Sequence, residues 1–227
     1  LTESNSSIIF DNIYSIINDS ANNTIDTTKI NYIFDNVIDK CIMQPPFAML
    51  YIKFLTKFNK FKCVKKTMDH KIKNTMLYIS DYIELIEIHD SKINQTQLEQ
   101  KTETNIFTKL IKENKKYEGL GTIFSLFYFN KFIDTDIIIK FIMKTIQHVS
   151  DYIEWEPCTN DVLEKYVNVL IGLLEYGYHT LIKNVDYETK LTLHMKIEHI
   201  LSSKKIEMRI KYNLQNLYDD LKAGKRK

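Results

Sequence analysis

Apolar residues recur three and four positions apart along nearly all of this 227-residue chain, and only 5 glycines and 3 prolines interrupt them. One face of an α-helix returns every ~3.6 residues, so the spacing predicts helices. Sheets with many tight turns use more glycine and proline than this. Ile9, Ile13, Ile16 and Ile17 make the first stripe, with Phe10 and Tyr14 beside it. The polar run "DSANNT" (19–24) breaks it. Asp26 or Thr27 can cap a second helix carrying Ile30, Ile33, Phe34, Val37, Ile38 and Ile42. Gln44-Pro45-Pro46 stops that helix, and Pro46 suits the first turn of the next, where its missing N–H costs little. The third stripe is Phe47, Leu50, Tyr51, Phe54, Leu55 and Phe58.

A fourth helix is expected over 67–88, then a polar linker over 89–103. A helix opens at 106–111, "NKKYEGLG" kinks or restarts it, and Leu120, Ile123, Phe124, Phe127 and Phe129 continue. Asp134 or Thr135 caps 136–149, "EWEPCTND" connects, and helices over 162–176, 187–201 and 204–221 complete the set. Short connectors between helices of this length predict an all-α fold in a single domain, 1–227. The spacing of successive helix pairs, about 40 residues, suggests antiparallel hairpins stacked in a row as a HEAT-repeat-like α-solenoid. An irregular helical bundle is the alternative. The basic tail 222–227 reads as a flexible, solvated extension.

The last helix, in "EMRIKYNLQNLYDDLKAG", divides into two stripes. Ile206, Ile210, Leu214, Leu217 and Leu221 should dock on the preceding helix. Lys205, Arg209, Tyr212, Asn216 and Asp219 run along another side, with Asp220 extending a surface charge cluster. That side can serve as the solvated cap of a terminal repeat or as a contact face.

A composition of 44% hydrophobic and 26% charged residues suits an ordinary soluble protein. The net charge of +2 provides no strong field for nucleic acid or membrane. Cys41, Cys63 and Cys158 lack any pairing pattern, which suggests a reducing, cytoplasmic setting. No apolar run reaches the ~20 residues of a membrane span. Catalytic signals are missing too. His194 and His199 are five apart and share no helix face, and no zinc signature surrounds them. Gly119-x-Gly121 lacks the further glycine or lysine of a phosphate loop. A non-enzyme without metal or cofactor is expected. Lys53, Lys57, Lys60 and Lys62, interleaved with aromatics, could add a weak surface for RNA phosphates.

Several segments, in order, resemble one family. "IFDNIYSIINDS" resembles the opening helix of the middle domain of eukaryotic translation initiation factor 4 gamma through Ile9, Phe10, Ile13, Ser15, Ile16, Ile17 and Asn18. The family's Lys-Leu-Thr is replaced by Asp19-Ser20-Ala21, and a following family Phe falls near Ile25. Asp39, Lys40, Pro45, Phe47 and Tyr51 match the next segment, with Gln44 at its acidic position. "GTIFSLFYFNKFIDTDII" is similar to the third-repeat helix, and "DVLEKYVNVLIGLLEYG" to a fourth-repeat helix. "RIKYNLQNLYDDL" is similar to the family's closing signature through Arg209, Ile210, Lys211, Tyr212, Leu214, Gln215, Asn216 and Asp219.

The resemblance implies a divergent HEAT-type scaffold, about five antiparallel helix pairs forming a crescent, that binds a DEAD-box RNA helicase of the initiation factor four-A type. Such a scaffold touches both helicase domains and favours one arrangement of them. It would work beside mRNA and other initiation factors, off the membrane and as a monomer when alone. One implied contact patch is Phe10, Ile17, Asp19, Ser20 and Ile25 with Pro46 and Phe47. The other is Lys205, Arg209, Tyr212, Asn216, Asp219 and Asp220. The alternatives are a related adaptor for another DEAD-box protein in mRNA decay or processing, and an RNA-binding α-solenoid.

Overall fold

The computed structural model describes residues 4–19, 24–60, 62–84, 103–154 and 160–223. Over them the chain is all-α. Ten α-helices follow one another: α1 (Ser6–Ile17), α2 (Thr27–Met43), α3 (Ala48–Thr56), α4 (Lys62–Glu84), α5 (Glu103–Phe129), α6 (Thr135–Glu154), α7 (Asn160–Glu175), α8 (Tyr178–Asn184), α9 (Tyr187–Ser202) and α10 (Met208–Lys222). The one departure is a two-residue antiparallel ladder pairing Asn18 with Ile25 and Asp19 with Thr24.

The helix boundaries have local causes. Asp26 caps α2, its Oδ1 accepting from the N–H groups of Thr28 (3.0 Å) and Lys29 (3.2 Å). Those bonds hold its carboxyl below the usual carboxylate range. The two prolines after α2 occupy a 3-10 turn, Pro45–Phe47, which redirects the chain into α3. Helix α5 ends in a Schellman motif. Phe132 N–H bonds Phe127 C=O (2.8 Å) and Lys131 N–H bonds Tyr128 C=O (2.9 Å). Lys131 takes the left-handed position at φ 60°. The rings of Phe127 and Phe132 meet edge-on at 6.0 Å, the apolar contact that accompanies this motif.

Helices α5 and α7 form the centre and pack on each other more extensively than any other pair. Every residue of α7 from Val162 to Leu170 is buried. The expected break at "NKKYEGLG" does not occur; α5 runs through it unbroken for 27 residues. The glycines are there for contact between backbones. A methyl group on Gly119 would strike the Ile42 carbonyl of α2. On Gly121 it would strike the Val169 carbonyl of α7, and on Gly172 of α7 the Glu118 carbonyl of α5. A helical glycine costs about 1 kcal/mol against alanine. Close approach of three helices is what that cost permits.

The remaining helices flank this centre. Helices α2 and α3 pack against α5, and α4 against α2. On the other side α6, α8 and α10 pack against α7, and α9 packs against α6 and α10. Helix α8 was not anticipated from the spacing. Its entry is fixed by Ser125 of α5, whose Oγ accepts from the N–H groups of Tyr176 (3.1 Å) and Gly177 (2.8 Å). Helix α4 begins five residues before the expected 67. The expected linker lies outside the described residues, except Glu103, which opens α5.

Candidate functional site

Two of the residues expected to contact a partner near the N-terminus are core residues instead. Ile17 is 1% exposed. Phe10 is buried against Phe58 (4.8 Å between centroids) and Phe54 (6.1 Å). They are the inward positions of an amphipathic α1, so their match to a family pattern reflects packing. Asp19 and Ile25 lie in the short ladder, and nothing further is described for their side chains. Ser20 is outside the described residues. Pro46 and Phe47 are exposed on the turn between α2 and α3, with Phe47 open over 56% of its surface.

At the other end, Lys205 precedes α10 rather than lying on it. Tyr212, Asn216, Asp219 and Asp220 are exposed on α10, Tyr212 at 63%. Asp219 accepts from Gln215 Nε2 at 2.8 Å. Arg209 differs from its neighbours. Its guanidinium bonds Glu164 Oε2 of α7 at 2.7 Å, and the Glu164 side chain is only 12% exposed. It is therefore a tether between α10 and the centre as well as a surface group.

Of the basic residues expected to meet RNA, Lys53 and Lys57 line one small depression with Ser6, Leu50 and Phe54. Lys53 is exposed on α3. Lys57 points back to α1, with Nζ 3.3 Å from Ser7 Oγ and 5.5 Å from the Phe10 ring centre. The side chains of Lys60 and Lys62 lie outside the description.

The expected apolar stripe of α10 is corrected at one position. Tyr218 is buried and Leu217 is only half-buried. Tyr218 enters a polar chain that links three helices. Its hydroxyl donates to Glu198 Oε1 (3.3 Å) and lies 2.7 Å from His194 Nδ1. Since that hydroxyl proton goes to Glu198, Tyr218 accepts from Nδ1–H. His194 Nε2 then accepts from the Tyr178 hydroxyl at 3.2 Å. Lys222 closes the chain, donating to Glu198 Oε1 at 2.6 Å, with Nζ 4.4 Å from the Tyr218 ring centre. Burial, with Lys222 and Lys190 nearby, pushes the His194 imidazole below its usual pKa, against a smaller opposing pull from Glu198. The neutral ring this favours is the one the hydrogen bonds require. The Lys222 bond in turn holds the Glu198 carboxyl low.

An apolar cleft of about 580 Å³ opens between α4 and α6, floored by the stacked rings of Phe124 and Phe141 (3.9 Å). Met76 and Leu77 form one wall, Ile137 the other, and Lys73 and Lys140 sit at the rim. Its lining holds no histidine or cysteine among the described residues. No group of three or more histidine, cysteine, aspartate or glutamate residues is placed to hold a metal ion among the described residues. No described helix is long and apolar enough to cross a membrane. No protein-family model, curated protein or solved structure matches the chain.

Proposed function

We propose that the chain is a cytoplasmic scaffold of translation initiation that binds a DEAD-box RNA helicase of the four-A type and biases the arrangement of its two domains. In this reading the helix pairs form a HEAT-type array and mRNA contact is auxiliary. The observation that carries it is the position of two uncovered aromatic patches. Phe47 with Pro46 lies on the α2–α3 turn, and Tyr212 lies on α10 beside Asn216 and Asp219. Helices α2 and α3 pack against α5, and α10 packs against α7, so the two patches are carried by elements held on different members of the central pair. A partner made of two domains can touch both. A scaffold shifts such a partner only by binding its arrangements with different affinity, and two fixed contacts supply that difference.

The test is stimulation of the helicase's ATPase by the purified protein. Phe47→Asp and the pair Tyr212→Ala with Asp219→Lys should each keep the helical circular dichroism and each remove stimulation, while leaving one helicase domain bound. Absence of binding by the unaltered protein would overturn the reading. Selective binding of a DEAD-box protein of mRNA decay or processing would transfer it to that setting.

A further inference from the structure

A concavity of about 600 Å³ opens where α8, α9 and α10 meet. Each helix contributes one lysine to its lining: Lys183 from α8, Lys190 from α9 and Lys222 from α10. His179 and His194 add two imidazoles. Among the described residues that line it there is no carboxylate. In a chain with a net charge of only +2, this is a local concentration of positive charge.

Two acidic groups, Glu198 of α9 and the Asp186 cap of that helix, are already engaged. Glu198 is bonded to Lys222 and Tyr218. Asp186 caps α9, accepting from the Thr189 N–H at 2.7 Å and the Thr189 hydroxyl at 3.1 Å. Lys183 and Lys190 make no ion pair among the described residues. Lys222 is balanced by Glu198, which leaves the charges of Lys183 and Lys190 uncompensated around one opening. The fall in the His194 pKa has Lys190 and Lys222 among its causes, so both ammonium groups act on the same space. Like charges gathered in a partly desolvated concavity repel one another, and a bound anion relieves that repulsion.

We propose that this concavity is a binding site for a compact ligand carrying two or more phosphoryl groups. Two uncompensated ammonium groups match at least two negative charges, which a single carboxylate does not supply. The lysines converge from three helices onto one opening, whereas a nucleic-acid strand is tracked by a groove that follows its backbone. Lys53 and Lys57, on and just after α3, belong to a helix whose main contacts are with α2 and α5 and do not extend the site. Lysine serves here as a point charge for phosphoryl oxygens.

Isothermal titration calorimetry of the full chain with sodium tripolyphosphate, at near-physiological salt, tests the site. One saturable site is expected. Lys183→Glu with Lys190→Glu should weaken it at least tenfold, and Lys183→Gln with Lys190→Gln should weaken it by less. Both pairs replace side chains outside the core, and circular dichroism checks that the helices persist. Lys53→Glu with Lys57→Glu should leave the affinity unchanged. The proposal is overturned by the absence of a saturable site, by equal loss in the Lys53/Lys57 control, or by sulfate binding as tightly as tripolyphosphate. A single-stranded RNA that binds more tightly and is lost in the same lysine variants would also overturn it, in favour of a polynucleotide. No helicase is present in the assay, so its failure would leave the scaffold reading untouched.

Discussion

His194 Nδ1 lies 2.7 Å from the Tyr218 hydroxyl, and that contact orders the protons of three helices. The groups facing the ring are Tyr178, Tyr218, Lys190, Lys222 and Glu198. Its folded pKa is lowered from the ordinary value of 6.5, so below that pH the unfolded chain binds the proton more readily. Stability therefore falls as pH drops from about 6.5 towards the folded pKa, and rises again with pH. Urea midpoints measured from neutral to mildly acidic pH should show this slope, and His194→Gln should flatten it. A slope unchanged by that substitution would assign it to other groups.

The contact between α5 and α7 predicts a large effect from a small change. Gly172→Ala pushes a methyl group into the Glu118 carbonyl, where backbone rather than a flexible side chain must yield. Although alanine is the better helix former, the variant should lose about 2–3 kcal/mol, the upper range for overpacking. Equilibrium denaturation measures it. A stabilised variant would mean that the helices can separate at no cost.

Arg209 and Glu164 should be energetically coupled. Arg209→Glu places a second carboxylate against the largely buried one of Glu164 and should destabilise the protein by about 1 kcal/mol, a modest value because the guanidinium it replaces is largely exposed. Adding Glu164→Arg should recover part of the loss. A double-mutant cycle with no interaction energy would contradict the tether. Charge reversal at Arg209 therefore mixes fold with surface effects, which is why the helicase test uses Tyr212 and Asp219.

Lys131 occupies the one non-glycine left-handed position of the described backbone. Lys131→Gly removes the steric penalty of a side chain there, about 1 kcal/mol, and should raise the melting temperature. A lowered midpoint would show that the lysine side chain makes compensating contacts.

The helices were legible because their apolar residues return with the helical period. Ile30, Phe34 and Ile38 face the core of α2 as their spacing requires. The glycines were misread, since a helix break and a close helix crossing leave the same mark in one dimension. Phe10 and Ile17 were misassigned for a related reason: a matched apolar residue says that a face is needed, not whether a partner or the core needs it. The His194 network was missed because Tyr178 and Tyr218 are 16 and 24 positions away in the chain. One clue existed. Tyr218 stands four after Leu214 and three before Leu221, on the buried side of α10.

The interlocked glycines also determine how the molecule can move. At an ordinary helix interface, interdigitated side chains change rotamers and let one helix slide along another. Where α5 meets α7, Gly121 and Gly172 bring main chain against main chain, and a shift by one residue would bring Leu120, Thr122 or Leu173 into a space that admits no side chain. The crossing works as a rivet. The helices on either side of it can tilt about it but cannot slip past it, so a distortion imposed at the α2–α3 turn should reach α10 as a rotation.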